Sequence, residues 1–148
     1  MQKQKTQNKL QLTTILTIIF LTTIIALTGC QQQPASETIT SNYEQINQII
    51  KNENPTIVDV RTPEEYNKGH LEGAINMNFY ENNFFEEMEK LPINKPIIIY
   101  CLSGHRSDLA VKGLKGRLNV TIYEISGGIM AWQENGGKIT EAKYNYLE

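Results

Sequence analysis

The chain has 148 residues, with 14 lysines and arginines against 16 acidic residues and a formal net charge of −2. An acidic balance without a basic cluster argues against binding to nucleic acid. Two cysteines exclude a framework of several disulfides, and the length suits one domain with a single core.

The first 29 residues have the pattern of a secretory signal. Three lysines precede an uncharged stretch at 10–27, which is apolar in its middle. Cys30 then follows Leu27, Thr28 and Gly29. This ending resembles the lipobox of bacterial lipoproteins, which implies a diacylglyceryl group on Cys30 and cleavage before it. The alternative is an uncleaved transmembrane helix, but the stretch is shorter than the roughly 20 apolar residues of a span.

Both alternatives place the globular part outside the cytoplasm, in the periplasm or on the cell surface. Cleavage before Cys30 would leave about 119 residues with a net charge of about −5, because the removed segment carries three lysines and no acid. Residues 30–38 are polar and contain proline, which predicts a flexible tether between lipid and domain. Two acyl chains would hold the protein stably at a membrane. Cys101 would then have no disulfide partner within the chain.

Strands and helices alternate through residues 39–148, which we assign to one domain. Ser41 with Glu44, and Thr62 with Glu65, have the spacing of capping boxes at helix starts. The patterns predict helices at 41–51, 62–69, 84–91 and 108–118 and after 127–128, and strands at 56–60, 74–79, 96–100 and 120–125. The alternation predicts an α/β fold, a parallel sheet with helices on both faces. Ligands of such sheets bind beyond the carboxyl ends of the strands.

Cys101 lies where the strand at 96–100 gives way to a helix. Backbone N–H groups of a tight loop and of the helix behind it converge on such a point and favour a negative charge there. This setting lowers the pKa of a thiol and makes the thiolate a nucleophile. The alternative, a buried apolar cysteine, fits poorly with the polar, turn-like residues that follow. The loop residues predicted to bind the substrate are Leu102, Ser103, Gly104, His105 and Arg106.

Three stretches together resemble the rhodanese (sulfurtransferase) domain. The first begins with Asp59-Val60-Arg61 and ends with Gly69 to Asn76, the second is the loop 101–106, and the third is the Gly-Gly-Ile-Met-Ala-Trp sequence at 127–132. Their order and spacing are similar to those of a single-domain, exported rhodanese of the phage-shock type. The resemblance implies a single rhodanese-like domain with a central, parallel, five-stranded sheet.

The resemblance also implies a ping-pong sulfur transfer. The Cys101 thiolate would attack a donor such as thiosulfate, sulfite would leave, and the resulting persulfide would pass its sulfur to a thiol or to cyanide. Related phosphatases and arsenate reductases place arginine six positions after the cysteine, whereas Arg106 is five positions after Cys101. The smaller ring favours a single sulfur atom over a phosphate. A persulfide carrier for one protein partner is the alternative from another class, and phosphatase activity is a third, disfavoured one.

The other polar residues near the predicted site have more than one interpretation. Arg106 would offer a bidentate positive charge to an oxyanion, or it is a solvated surface cation. His105 either assists an anionic donor or is simply exposed. Asp59 and Arg61 are expected to form a structural ion pair, with a supporting role near the site as the second possibility. His70 is expected to be a structural turn residue. We expect neither a metal nor a cofactor, because no second histidine is spaced with Cys101 to suggest a metal site.

Overall fold

Short strands alternate with helices in the computed structural model, which describes residues 37–92 and 94–140. The strands are β1 (Thr38–Ser41), β2 (Thr56–Asp59), β3 (Ile75–Asn76), β4 (Ile97–Tyr100) and β5 (Ile122–Ile125). The helices are α1 (Tyr43–Glu53), α2 (Pro63–Lys68), α3 (Phe84–Lys90), α4 (His105–Leu114) and α5 (Gly128–Glu134). The predicted α/β alternation is confirmed. The predicted signal, Cys30 and most of the tether lie outside the described residues.

The described strands form one parallel sheet in the order β1-β5-β4-β2-β3. Strand β4 is central, and all four of its residues are buried. Its side chains alternate between two apolar clusters, because successive residues of a strand point to opposite faces. Ile97 and Ile99 pack with residues of α3 and α4, whereas Ile98 and Tyr100 pack with residues of α1 and α5. Helices therefore cover both faces of the sheet, as predicted.

The N-terminal edge strand β1 is the strand that the sequence patterns missed. It pairs with β5, and the backbone N–H of Ile122 donates to the carbonyl of Glu37 at 2.8 Å. Thr38, which the sequence analysis placed in the tether, is therefore the first residue of the sheet. Ser41 is the last residue of β1 and is buried, so it does not cap the next helix. The capping box of α1 lies one residue later, where Asn42 and Gln45 exchange hydrogen bonds of 3.0 and 2.9 Å.

Helix α4 begins and ends earlier than the predicted 108–118. It starts at His105, directly after Gly104, and ends at Leu114. Gly116 has a φ of 79°, in the left-handed region, and so the chain cannot continue as a right-handed helix through it. The early start shortens the loop after Cys101 and brings the first turn of α4 toward the cysteine. The capping box of Thr62 and Glu65 at the start of α2 is confirmed.

None of the helices in the described part of the chain is long and apolar enough to cross a membrane.

Candidate active site

The Cys101 sulfur is held by hydrogen-bond donors from the loop and from helix α4. Cys101 follows the carboxyl end of central strand β4, and only three residues separate it from α4. The backbone N–H of Gly104 donates to Sγ at 3.2 Å, and Oγ of Ser107 lies 3.6 Å from Sγ. Gly104 has a φ of 99°, which a glycine adopts without strain and which turns its N–H inward. The converging donors that the strand-to-helix position predicts are present.

These donors lower the pKa of the Cys101 thiol. Burial alone raises the pKa, since a charged sulfur is poorly solvated inside the protein. The backbone N–H groups of Ser107, Ser103 and Gly104, with the Ser107 hydroxyl, lower the pKa and outweigh burial. The loop therefore favours the thiolate, which is the nucleophilic form of cysteine.

Cys101 is buried, whereas several of the loop residues that follow it are exposed to solvent. Cys101 is 1 % exposed, whereas Leu102 is 41 % exposed. Ser103 and His105 are exposed as well. A molecule that reacts with the Cys101 sulfur must therefore approach from the side of these exposed residues.

The third motif holds the Cys101 loop in place through backbone hydrogen bonds. The backbone N–H of Ile129 donates to the carbonyl of Cys101 at 2.9 Å, and that of Met130 donates to the carbonyl of Leu102 at 3.2 Å. Gly128 has a φ of 63°, and a Cβ at this position would lie 2.5 Å from the Cys101 carbonyl oxygen. Only glycine permits this close approach. The third motif thus fixes the position of the loop that carries the cysteine.

Asp59 and Arg61 form the structural ion pair that was expected. Nη2 of Arg61 lies 2.6 Å from Oδ2 of Asp59, with side-chain exposures of 6 % and 0 %. The same Nη2 donates to the carbonyl of Gly69 at 2.6 Å, so the pair fixes the turn after α2. His70 lies in that turn, where its ring stacks on Tyr66 at 3.8 Å between centroids. These contacts are the kind that the expected structural role of His70 requires.

Arg106 is paired with Glu65, a partner that sequence reasoning missed. Its Nη1 and Nη2 donate to the two carboxylate oxygens of Glu65 at 2.6 and 2.7 Å. Its guanidinium carbon also lies 5.7 Å from the ring centroid of Tyr80. The bidentate face that was expected to bind an oxyanion is thus occupied by a carboxylate of the protein. The sequence placed Glu65 in a capping box and in the first stretch of the rhodanese resemblance, but no sequence signal links two residues 41 positions apart.

Ser107 and Glu124 are two further site residues that the sequence analysis missed. The Ser107 Oγ lies 2.8 Å from Oε1 of Glu124, 2.9 Å from the carbonyl oxygen of Gly104 and 3.6 Å from the Cys101 sulfur. Glu124 is 6 % exposed, and burial raises the pKa of its carboxyl group. An acid within the mostly apolar stretch at 120–125 is a signal that could have identified it.

Residues 42–135 match the family model of the Rhodanese-like domain. The chain belongs to the rhodanese family. The matched range contains the Cys101 loop, the Asp59–Arg61 pair and the Gly127–Gly128 turn. The family resemblance inferred from three sequence motifs is therefore confirmed.

Several curated proteins are similar to this rhodanese domain. A thiosulfate sulfurtransferase of Shewanella oneidensis is 29 % identical over 93 residues, which cover 63 % of this chain and 90 % of the relative. The chloroplastic thiosulfate sulfurtransferase 16 of Arabidopsis thaliana is 38 % identical over 90 residues, covering 53 % and 74 %. A tRNA uridine(34) hydroxylase of Buchnera aphidicola is 33 % identical over 91 residues, covering 59 % and 29 %. The chain thus spans most of the two sulfurtransferases and under a third of the hydroxylase.

Solved structures confirm the fold class of this rhodanese domain. A rhodanese-related protein of Thermoplasma volcanium has a TM-score of 0.60 at 29 % identity, covering 69 % of this chain and 97 % of that one. A rhodanese-like domain protein of Staphylococcus aureus has a TM-score of 0.55 at 25 % identity, covering 71 % and 99 %. The five-stranded parallel sheet with helices on both faces is therefore the fold that the sequence resemblance implied.

Proposed function

We propose that the protein is a sulfurtransferase that moves sulfane sulfur from a thiosulfate-type donor through a persulfide on Cys101. The observation that carries the proposal is the buried Sγ with backbone donors directed at it, including the Gly104 N–H at 3.2 Å. Two thiosulfate sulfurtransferases among the relatives support the reaction class. The rhodanese family membership supports the same class.

The loop geometry suits both halves of such a transfer. In the first half, the Cys101 thiolate attacks the outer sulfur of thiosulfate, and a bond forms between Sγ and that sulfur. The sulfur–sulfur bond of the donor breaks, and sulfite leaves with the electron pair. In the second half, an acceptor thiolate or cyanide attacks the outer sulfur, and Sγ leaves as a thiolate. The donors that stabilise the thiolate therefore assist Sγ as a nucleophile and as a leaving group.

Phosphate chemistry at this loop would require Arg106 to leave Glu65. A phosphate ester would need a guanidinium directed at its oxygens, but both Nη atoms of Arg106 donate to Glu65. A single sulfur atom on Cys101 requires only donors directed at sulfur, which the loop supplies. The transfer of a sulfur atom through Cys101 can therefore proceed with the Arg106–Glu65 pair intact, whereas phosphatase activity requires that the pair open.

Loading with thiosulfate tests the proposal, and the chain offers a matched control because it has only two cysteines. The full chain, treated with thiosulfate and analysed by mass spectrometry, should gain one sulfur atom on Cys101. The C30S variant should load equally, whereas C101S should neither load nor transfer sulfur to cyanide. Equal thiosulfate:cyanide activity in C101S and the unaltered chain would refute the proposal.

A persulfide carrier that serves one protein partner is the second candidate function. It is favoured by two exposed apolar side chains beside the buried cysteine, Leu102 at 41 % and Met130 at 48 %. They are neighbours, since the Met130 N–H donates to the Leu102 carbonyl. A carrier would load poorly from thiosulfate alone and turn over slowly with cyanide. Efficient steady-state kinetics with both small molecules would favour the enzyme.

We propose further that the protein is held outside the cytoplasm by lipid on Cys30. The support is the sequence pattern of a basic start, an apolar stretch and Leu-Thr-Gly before the cysteine. In bacterial cells, the unaltered chain should fractionate with membranes and incorporate a labelled fatty acid. The C30S variant should lose the label, and C101S should keep it. A label that persists in C30S would contradict lipidation at this residue.

A further inference from the structure

Glu124 is a buried acid that sulfur transfer through Cys101 does not use. It lies on β5, next to central strand β4, and is 6 % exposed. Among the described residues, no lysine, arginine or histidine forms an ion pair with it. Its hydrogen-bond partners are two hydroxyls, Ser107 at 2.8 Å and Thr40 at 3.4 Å. The ionisation of a buried carboxyl group without a cationic partner costs free energy. The protonation of Glu124 therefore depends strongly on the hydrogen bonds that it makes.

The Ser107 hydroxyl has one proton and three acceptors within reach. These are Oε1 of Glu124 at 2.8 Å, the carbonyl oxygen of Gly104 at 2.9 Å and Sγ of Cys101 at 3.6 Å. An ionised Glu124 is a stronger acceptor than the Gly104 carbonyl, so the Ser107 hydroxyl donates its hydrogen bond to Glu124. A protonated Glu124 instead donates its own proton to Oγ of Ser107, because a hydroxyl oxygen can accept while its hydrogen points elsewhere. The Ser107 hydroxyl can then donate to the Gly104 carbonyl at 2.9 Å or to the Cys101 sulfur at 3.6 Å, and a thiolate is the stronger acceptor of the two because it is charged.

We propose that Glu124 is a positioning residue for Cys101, whose protonation decides, through Ser107, whether the Ser107 hydroxyl donates to the Cys101 sulfur. The thiolate of Cys101 and the carboxylate of Glu124 therefore compete for one hydrogen bond. The ionisation of either group disfavours the ionisation of the other. Ionisation of Glu124 raises the pKa of Cys101, and neutralisation of Glu124 lowers it. The proposal rests on the proposed function for its consequence in catalysis, but its test measures the thiol directly.

In the proposed reaction, Sγ carries the negative charge before attack and again when it leaves the persulfide. In the persulfide itself the charge lies on the outer sulfur. The Ser107 hydroxyl therefore assists Sγ in the two states that precede and follow the persulfide. A neutral Glu124 leaves the Ser107 hydroxyl free to donate to Sγ in both of these states. The reactivity of Cys101 should therefore depend on the pH at which Glu124 ionises.

The other charged groups that face Glu124 belong to helix α4. Asp108 raises the pKa of Glu124 and Lys112 lowers it, but both effects are smaller than that of burial. Asp108 and Lys112 also pair with each other at 2.7 Å, near the surface. Strand β1 contributes the Thr40 hydroxyl, and β4 ends in Cys101. The protonation of Glu124 is thus set mainly by burial and by the Ser107 hydrogen bond.

A double-mutant cycle tests the proposal. The full chain with C30S is used throughout, so that alkylation by iodoacetamide reports on Cys101 alone. The pH dependence of the alkylation rate gives the Cys101 pKa with and without Glu124→Gln, first in the Ser107 background and then in the Ser107→Ala background. With Ser107 present, Glu124→Gln should raise the rate at a fixed pH below the Cys101 pKa by about threefold or more, as expected for the net contribution of one hydrogen bond. With Ser107→Ala, the effect should largely disappear.

Two variants distinguish the serine relay from a direct effect of charge on the thiol. Glu65→Gln removes an acid that bonds to Arg106 and not to Ser107 or Glu124, and any change that it causes in the Cys101 pKa should be equal in both serine backgrounds. Ser107→Thr keeps a hydroxyl and should restore the coupling to Glu124. An unchanged Cys101 pKa in Glu124→Gln, or an equal change in both serine backgrounds, would overturn the proposal.

The test remains decisive if Glu124→Gln does not fold. The alkylation profile of the chain with only C30S should then show two ionisations, one of Cys101 and one of Glu124, and Ser107→Ala should show one. Identical profiles in these two proteins would overturn the relay. Failure of thiosulfate loading with the coupling intact would reject the proposed function and leave the relay standing, so the two failures are distinguishable.

Discussion

At the scale of single residues, two arginines near the loop have different environments and therefore different roles. Arg61 is buried against Asp59 and the Gly69 carbonyl, where it holds a turn. Arg106 pairs with Glu65 at a site where the two side chains are 13 % and 27 % exposed. A partly exposed pair beside the loop can exchange its partner for a substrate anion, whereas a fully buried pair cannot. We therefore propose that an anionic donor recruits Arg106 and not Arg61.

Removal of the Glu65 charge tests whether Glu65 competes with the donor for Arg106. In the Glu65→Gln variant, the guanidinium loses its ionic partner, and a negative charge that repels dianionic thiosulfate disappears. The KM for thiosulfate should fall about threefold, since an ion pair that is partly exposed to solvent contributes up to about 1 kcal/mol. Initial rates over a range of thiosulfate concentrations measure it.

A second glutamate–arginine pair of the chain provides the control for Glu65→Gln. Glu89 and Arg117 pair at 3.0 Å, with exposures of 41 % and 47 %. Glu89→Gln makes the same chemical change at a surface pair outside the Cys101 loop and should leave KM unchanged. A higher KM in Glu65→Gln would show that Glu65 instead orients Arg106 for the donor.

At the scale of elements, the first residues of α5 fix the position of the loop that follows β4, through backbone contacts. A side chain on Gly128 would meet the carbonyl oxygens of Cys101 and Leu102 at 2.5 and 2.6 Å. Gly128→Ala should therefore move the loop and weaken the donors to sulfur. We expect a loss of about 2 kcal/mol or more in the free energy of unfolding, from the positive φ and the clash together. Urea unfolding and thiosulfate loading measure the two effects.

Gly136 provides the matched control for Gly128. It also has a positive φ, of 83°, but a Cβ there would meet nothing within 4 Å. Gly136→Ala should cost about 1 kcal/mol in stability, from the backbone conformation alone, and should leave loading with thiosulfate intact. Equal losses of loading in Gly128→Ala and Gly136→Ala would contradict an anchoring role of α5.

The elements also show why part of the fold was predictable from the sequence and part was not. Strand β4 was clear because Ile97–Tyr100 is apolar on both faces, as a central parallel strand must be. Helix α2 was clear because Thr62 and Glu65 cap it locally. Strand β1, with the sequence Thr-Ile-Thr-Ser, lies at an edge and buries only Ser41, so it has no apolar pattern. Its pairing with β5 depends on residues far away in the sequence.

In the candidate site too, the features that depend on nearby residues could be predicted from the sequence, and the contacts between distant residues could not. The position of Cys101 follows from the strand before it and the polar loop after it, and both lie within a few residues. The partners of Arg106 and Ser107 are Glu65 and Glu124, which lie 41 and 17 positions away. Contacts of this kind are determined by the packing of the sheet, and neither composition nor periodicity reports them.

At the scale of the whole molecule, two carboxyl groups should shape the dependence of stability on pH in opposite ways. The bond to Arg106 lowers the pKa of Glu65 from its ordinary 4.5 to about 2. Its contribution to folding is therefore present above about pH 4.5 and is lost as the pH falls toward 2. Burial raises the pKa of Glu124, so its contribution is present at acid pH and is lost as the pH rises through its folded-state pKa.

Urea unfolding between pH 2 and 7 should therefore separate the two groups, with the fluorescence of the buried Trp132, the chain's one tryptophan, as the signal. The unaltered chain should lose on the order of 2 kcal/mol from Glu65 as the pH falls below 4.5, since the pair is partly exposed to solvent. Glu65→Gln should lose less over the same range, because glutamine does not titrate. Glu124→Gln should be more stable than the unaltered chain at pH 7, and that advantage should disappear at acid pH, where Glu124 is neutral. An advantage of Glu124→Gln that persisted at acid pH would assign its effect to packing instead of charge.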